Sequence, residues 1–443
     1  MLQELVKKEK VNIFGKNGVR LSLYTGFLEY GFADRWSTLH FYHAYPNDVL
    51  TLTDMNYEFA VATYSLDWED QYMYTYCYER EENWSTYAHD LTPDSYSQKP
   101  YVFQKECYFR VNCRRLDGQI LMEPEEKHIG ESLEFSSEKV VYGVKDCFRE
   151  EIEDTCVKLE KEEGKKFLLL TDSHYVINGT WEDTLQNMNA VASKINLDGL
   201  IHLGDITDGM ISREVNLDYI NYLMDGMEGL ELPMDFAMGN HDSNYFYNNP
   251  DKFTEDEQYQ YYFKNIHNQN KQLYYYRDDE DLMIRFIFLH SFDYREEVRY
   301  GFSDEEVSWF EKVLAQTPDE YRILVFSHVP PLPEIHFWSD KIRNGECMVS
   351  LAESHEETTG QKILAWIHGH NHADAVYRKR QFPIVAIGCN KYEYFLDKKP
   401  EGSFTPERKR NHASQDLWDV LCIQKDSDEL HFIRFGAGED RGV

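Results

Sequence analysis

From Gly164 onward one pattern recurs: a short, unbroken apolar run that stops abruptly at Asp, Asn or His. KFLLLTDSH (166–174), DGLIHLGD (198–205), PMDFAMGNHD (233–242), RILVFSHVP (322–330) and AWIHGHNH (365–372) all follow it. Apolar residues at successive positions, rather than alternate ones, suit a strand covered on both faces. Between the runs lie stretches with helical spacing, at 181–196, 214–228 and 303–316. Strand and helix in alternation predict an α/β domain. Ligand sites in such sheets lie beyond the carboxyl ends of the strands, and here each run ends in a potential ligand.

The chain before this region has a different texture. VRLSLYTG (19–26), WSTLHFYH (36–43), YEFAVATYSLDW (57–68), YMYTYCYE (72–79) and YVFQKECYFRVNC (101–113) are short and aromatic-rich, with turn residues between them. They predict an all-β sandwich or barrel. Trp36, Trp68 and Trp84 read as core or rim residues, with stacking on a sugar as the sharper alternative. A helical spacing over 144–163, closed by Gly164 as a C-cap, marks the change. The expected organisation is a smaller β-rich domain over 1–142, of open role, followed by an α/β domain over 143–443. Residues 243–285 read as a polar insertion near the site, helical over 255–267, with Asp278–Asp281 as a solvated turn. Residues 332–360 read as a cleft loop, and 417–424 with 429–436 as a hairpin.

Charge narrows the function. Among the 443 residues, 46 Lys and Arg against 79 Asp and Glu give −33. Such a surface repels nucleic-acid phosphates and anionic lipid, so no nucleic-acid partner is expected. No stretch reaches the length and apolarity of a membrane helix, and MLQELVKKEKVNIF lacks the apolar core of a signal peptide. The eight cysteines contain no CxxC pair and are expected to be reduced, which fits a cytoplasmic protein.

The ends of the apolar runs carry the chemistry. Asp172 and Asp205 are separated by 33 positions, Asp205 and Asn240 by 35. A βαβ unit takes about 30 residues or more, so successive strands can deliver these groups to one sheet edge. Two cations held about 3.5–4 Å apart need an anion between them, and Asp205 is the natural bridge. The N and O donors, without thiolate, suit a variable hydrolytic centre better than a structural zinc site. In Asp172-x-His174 and His370-x-His372 an extended backbone would point both residues of each pair to one side. Gly204, Gly239 and Gly369 stand directly before ligands, where tight turns are expected. His368 reads as structural, as does Cys389, expected to be small and buried. His290, His336 and His355 lie in or near loops, with substrate contact at the edge of the cleft as the alternative reading. Arg378–Arg380 and Arg408–Arg410 read as solvated surface, with steering of an anionic substrate as the alternative.

These five ordered segments resemble the calcineurin-like metallophosphoesterase family: DSH at 172–174, GDITD at 204–208, GNHD at 239–242, His328 in FSHVP, and GHNH at 369–372. The resemblance covers about 165–390 and implies a metallophosphoesterase sandwich of two β-sheets flanked by helices. It implies two metal ions (manganese, iron or zinc), one held by Asp172, His174, Asp205 and His372, the other by Asp205, Asn240, His328 and His370. It makes His241 the general acid, oriented by Asp242, in hydrolysis of a phosphomonoester or phosphodiester by metal-activated water. Phosphoprotein-directed members resemble GDxVDRG, whereas Gly209 follows Asp208 here. A small-molecule phosphoester is therefore favoured over a phosphoprotein. The other readings are a binding or assembly role for the N-terminal domain, and a metal domain with weak or no turnover.

Overall fold

The computed structural model describes residues 5–21, 28–39, 41–64, 96–141, 143–176, 179–209, 211–245, 249–264, 266, 271–335, 337–392 and 408–443. The chain divides into two compact units, Met1–Gly143 and Val144–Val443.

The N-terminal unit is built from β1 (Leu5–Val11), β2 (Lys16–Leu21), β3 (Leu28–Ser37), β4 (Tyr42–Ala44), β5 (Val49–Leu52), β6 (Tyr57–Tyr64), β7 (Tyr101–Val102), β8 (Cys107–Arg115) and β9 (Leu133–Val141). One antiparallel sheet runs β1-β9-β5-β7, the other β2-β3-β8-β4, with β6 also on β8. Phe109 of β8 meets Phe135 of β9 edge-on, with ring centroids 4.9 Å apart, so the two inner faces share one aromatic core. Trp36 is fully buried in that core, which removes it as a stacking surface; Trp68 and Trp84 lie outside the described residues. A helix absent from the β expectation, α1 (Glu123–Ser132), closes the unit. Its start was written in Met-Glu-Pro-Glu: Pro124 lies in the first turn, and the Glu125 carboxylate accepts the Met122 N–H at 2.8 Å.

The C-terminal unit is a second sandwich. Its first sheet contains β10 (Lys165–Leu170), β11 (Gly199–His202), β12 (Met234–Phe236), β19 (Leu417–Ile423), β20 (Leu430–Gly436) and β21 (Arg441–Gly442), in the order β12-β11-β10-β19-β20-β21. The second contains β13 (Tyr275–Asp279), β14 (Ile284–Phe288), β15 (Arg322–Phe326), β16 (Ile363–His368), β17 (Asp374–Tyr377) and β18 (Ile384–Ile387), in the order β13-β14-β15-β16-β18-β17. β10, β11 and β12 are mutually parallel, and so are β14, β15, β16 and β18. The sheets meet through buried aromatics such as Phe167 and Phe286, 5.6 Å apart. Alternate residues of the second sheet, among them Ile287, Val325 and Trp366, pack outward on α6 (Asp304–Ala315) and α7 (Gly345–Thr359). On the first sheet lie α2 (Arg149–Leu159), α3 (Trp181–Ala192) and α4 (Arg213–Glu228). A shorter helix, α5 (Glu255–Tyr262), starts from a Thr254–Glu257 capping box.

Several sequence expectations are corrected. Residues 332–360 are not one loop, because α7 occupies 345–359; it buries only Gly345, Met348, Val349 and Ala352, too short an apolar stripe to reveal a helix. The end of the 243–285 segment is edge strand, not insertion. Asp278 and Asp279 there are paired, with Arg285 and Lys165 respectively, at 2.8 Å each. Gly164 lies beyond the end of α2 and turns the chain into β10, at φ +82°. No disulfide joins any two of the seven described cysteines.

One surface pair gives a pH test. Glu162 accepts from His431 Nδ1 at 2.7 Å, and this hydrogen bond holds the imidazole above its ordinary pKa. The folded-state value is the higher one, so the stabilisation is complete below the ordinary histidine pKa and is lost as pH rises through the folded value. Thermal melts should show a larger loss in His431→Gln at about pH 6 than at about pH 8.5. Equal losses at both would contradict the pairing.

Candidate metal centre and active site

Each candidate ligand sits just beyond a parallel strand, on a loop that reaches across to its neighbour. The Asp172 N–H donates to Gly204 O at 2.9 Å, His174 N–H to Asp205 O at 2.9 Å, and Gly369 N–H to His328 O at 2.9 Å. Asp172, His174, Asp205, His370 and His372 all have positive φ, between +38° and +68°. This corrects the expectation of extended Asp-x-His and His-x-His pairs: β10 ends at Leu170 and β16 at His368. Left-handed backbone at non-glycine residues is costly and persists where surrounding contacts impose it, often at functional sites. Of the three glycines only Gly204 needs its freedom of φ (+92°). Gly239 and Gly369 are needed for room: a Cβ would stand 2.1 Å from Asp205 Oδ1 and 2.0 Å from Thr171 Oγ1 respectively.

These loops converge their side chains. His174 Nε2 lies 3.1 Å from His372 Nε2 and 3.6 Å from Asp172 Oδ1, while His372 Nε2 lies 3.3 Å from that same oxygen. Asp205 Oδ2 lies 3.1 Å from His328 Nε2, 3.5 Å from His174 Nε2 and 3.9 Å from His241 Nε2. Two metal-competent groups result, Asp172–His174–His372 and Asp205–His328–His370, with Asp205 reaching both. A third joins His174 and His241 to Asp208, a residue the sequence reading left without a role. All three groups found among the described residues are in the C-terminal unit. Asn240 stands beside them, buried.

The donor set fits cations. Asp172 Oδ1, Asn240 Oδ1 and His370 Nε2 are buried without a hydrogen bond, an arrangement that is unfavourable unless something else meets those lone pairs. The electrostatics ask for positive charge. Burial opposes ionisation of Asp205, yet the charges of His328 and His241 outweigh it and hold the carboxyl far below its usual range. Burial likewise opposes protonation of His174 and His328. Asp172 and Asp208 hydrogen bonds push His174 up to about 10, and the Asp205 charge pushes His328 up to about 9. His370 and His241 are instead held down by burial.

Residues 165–374 match the family of calcineurin-like phosphoesterases. The C-terminal unit is a calcineurin-like phosphoesterase. It is accordingly a metal-dependent hydrolase of phosphoric esters, and its sandwich is the metallophosphoesterase fold. Similar solved structures include a purple acid phosphatase from yellow lupin (Lupinus luteus) seeds, 11% identical, covering 98% of this chain and 74% of its own, TM-score 0.40. A putative 5′-nucleotidase from Staphylococcus aureus is 13% identical, covering 63% and 54%, TM-score 0.35. A phosphopantetheinyl hydrolase from Mycobacterium tuberculosis is 13% identical, covering 54% and 94%, TM-score 0.30. No curated protein matches the chain.

The expected pairing of Asp242 with His241 is not the one the phosphoesterase makes. Both Asp242 oxygens accept backbone N–H groups: Oδ2 from Gly239 at 2.7 Å and Asp205 at 2.9 Å, Oδ1 from Ile206 at 2.8 Å. His241 Nδ1 instead meets the carbonyl oxygen of Asp208. Asp242 therefore joins the GDITD and GNHD loops, and Asp208 orients the imidazole. Burial, then the Asp205 charge, push the Asp242 carboxyl up to about 6, against the pull of these bonds.

Behind the phosphoesterase centre runs a buried relay that sequence reading missed, because its members are far apart in the chain. The Gly204 N–H donates to His202 Nδ1 at 3.1 Å, so the His202 proton must be on Nε2. Nε2 faces Ser173 Oγ at 2.9 Å; Ser173 donates to Asn390 Oδ1 at 3.1 Å, and Asn390 Nδ2 to Asp416 Oδ1 at 3.1 Å. This one-directional chain pins the residue between Asp172 and His174. Arg408, expected on the surface, is buried and donates to the carbonyls of Cys389, Asn390 and Lys391. Cys389 is structural, its thiol on Asp172 O at 3.3 Å. Arg380 is tied to Glu346 and Glu353. His355 faces Gln361, 2.7 Å away, and His368 is buried at the end of β16; His336 lies outside the described residues. The residues at the rim are others: the Tyr300 ring stands against His370, centroids 4.7 Å apart, and Trp338 against His372 at 5.4 Å.

Proposed function

We propose that the phosphoesterase hydrolyses a small phosphomonoester or phosphodiester with two bound metal ions. One would be held by Asp172, His174, Asp205 and His372, the other by Asp205, Asn240, His328 and His370. The single observation that carries this reading is the position of Asp205 Oδ2, within 3.5 Å of imidazole nitrogens from both groups. Two cations so placed supply Lewis-acid polarisation of the phosphoryl oxygens and an acidified water.

The chain's own residues do the rest. Donation from Nδ1 to the Asp208 carbonyl leaves His241 Nε2 as the nitrogen facing the cluster. When protonated, that nitrogen can give its proton to the departing oxygen, and burial eases the release. The Asp242 and Ser173 networks hold the loops so that little reorganisation is needed at reaction. A small substrate is favoured because Gly209, not arginine, follows Asp208, and a Cβ there would come within 2.2 Å of the His241 carbonyl oxygen.

The test is hydrolysis of p-nitrophenyl phosphate and bis-p-nitrophenyl phosphate by metal-stripped full-length protein, with manganese, iron or zinc returned. Turnover should require added metal, and the ratio of the two rates assigns monoester or diester preference. Equal turnover with and without metal would reject the proposal.

A further inference from the structure

We propose that Arg299 and Lys252 form a second anion subsite beside the catalytic centre, so that the substrate is a phosphoester whose alcohol carries another negative group. This rests on the phosphoester reading above and specifies its substrate class.

A row of aromatic rings leads away from the centre. Tyr300 stands against His370, Phe292 lies 5.8 Å from Tyr300, Tyr245 lies 6.1 Å from Phe292, and Tyr294 stacks on Tyr245 at 5.2 Å. Two cations rest on this row. The Arg299 guanidinium carbon is 5.3 Å from the Tyr245 centroid, and Lys252 Nζ is 5.2 Å from Tyr245 and 5.1 Å from Tyr294. Cations at such distances gain from the ring quadrupole, which fixes their place without neutralising them.

Their neighbours are neutralised. On the same side Arg295 takes Asp293 and Glu255, and Arg343 takes Glu296. Among the described residues neither Arg299 nor Lys252 has a carboxylate within ion-pair distance, in a chain whose net charge is −33. Arg299 is exposed and Lys252 half-buried, so both can reach a solute.

The platform is built rather than incidental. Buried Asn244 takes a left-handed turn, φ +54°, directly before Tyr245. Its side chain donates to Ile211 O at 2.7 Å and to Asp251 O at 3.0 Å, fixing the residue before Lys252 as well. Arg213 donates to the Lys252 carbonyl at 3.0 Å. On the other side the Asp293 N–H donates to Arg299 O at 2.8 Å and the Arg343 N–H to Tyr300 O at 2.9 Å. One residue, Tyr300, links the pair to the metal-competent cluster: its ring touches His370 and its chain neighbour is Arg299. Along the row of rings the cations lie beyond Tyr300 and Phe292 from the metal-competent cluster, suited to a distal carboxylate or phosphate.

The experiment compares phenyl phosphate with 4-carboxyphenyl phosphate, in which a rigid ring separates the second anion from the reacting one. The ratio of kcat/KM, carboxylated over plain, should be about tenfold higher in the native protein than in the Arg299→Met, Lys252→Met double variant, or about 1.4 kcal/mol. Arg299→Lys should keep part of the preference. The same ratio in native protein and double variant would overturn the subsite while leaving the phosphoester reading intact. If neither ester turns over with any metal, that reading fails, and the subsite is judged by calorimetric binding of 4-carboxyphenylphosphonate. Affinity lost in the double variant would uphold the subsite, and affinity retained would overturn it.

Discussion

Asp205→Asn should lower kcat for any phosphoester substrate by on the order of 10³, the scale seen when one preorganised charge contact at a reacting centre is removed. Asparagine has nearly the shape of aspartate and keeps an oxygen for the His241 N–H, which Asp205 Oδ1 accepts at 2.8 Å. The fold should therefore survive, with the melting temperature little changed. What is lost is the negative charge that lies 3.1 Å from His328 Nε2 and 3.5 Å from His174 Nε2. Without it two cations have no shared anion, and their mutual repulsion is uncompensated. Steady-state kinetics with saturating metal, alongside thermal melts, checks both halves. Unimpaired turnover would remove Asp205 from the centre; loss of fold would make it structural.

The second large effect falls on stability. Asp242→Ala leaves three buried N–H donors, on Gly239, Asp205 and Ile206, without their acceptor. At about 1–3 kcal/mol per unsatisfied group, the cost is roughly 3–9 kcal/mol. That is a large share of the ~5–15 kcal/mol by which domains are stable. The melting transition should fall by roughly 10 °C. Asp242→Asn keeps one oxygen and should lie between the two. A role for Asp242 in orienting His241 predicts the reverse, an unchanged melt with an altered pH–rate profile. Differential scanning of the three proteins separates these outcomes.

Much of the catalytic unit was legible because its pattern is local. An apolar run ending in Asp or His marks both a covered strand and the loop beyond it, so β10, β11, β15 and β16 and their ligands could be read together. α3, α4 and α6 followed from periodicity, and the structure adds the start of α6, where the Ser303 side chain accepts the Glu306 N–H at 3.1 Å. What escaped was set by tertiary contact. The left-handed turns at Asp172 and His370 have no sequence signature, since glycine would be the expected residue there. Asp242 follows His241 in sequence, but its three partners are backbone groups of two loops. Arg408 sits in a basic run that resembles surface until the carbonyls of 389–391 are seen around it. Asp208 stood within the recognised GDITD motif, yet only the fold brings its carbonyl to His241. In the N-terminal unit, alternation revealed strands but neither their pairing nor α1.

The most direct measurement is metal stoichiometry: elemental analysis of full-length protein reconstituted with manganese, iron or zinc and freed of excess, beside the Asp205→Asn variant treated identically. The account predicts two ions per chain in the native protein and no more than one in the variant. Two ions in both would contradict the bridging role of Asp205. None in the native protein, with every metal tried, would contradict the dinuclear centre itself.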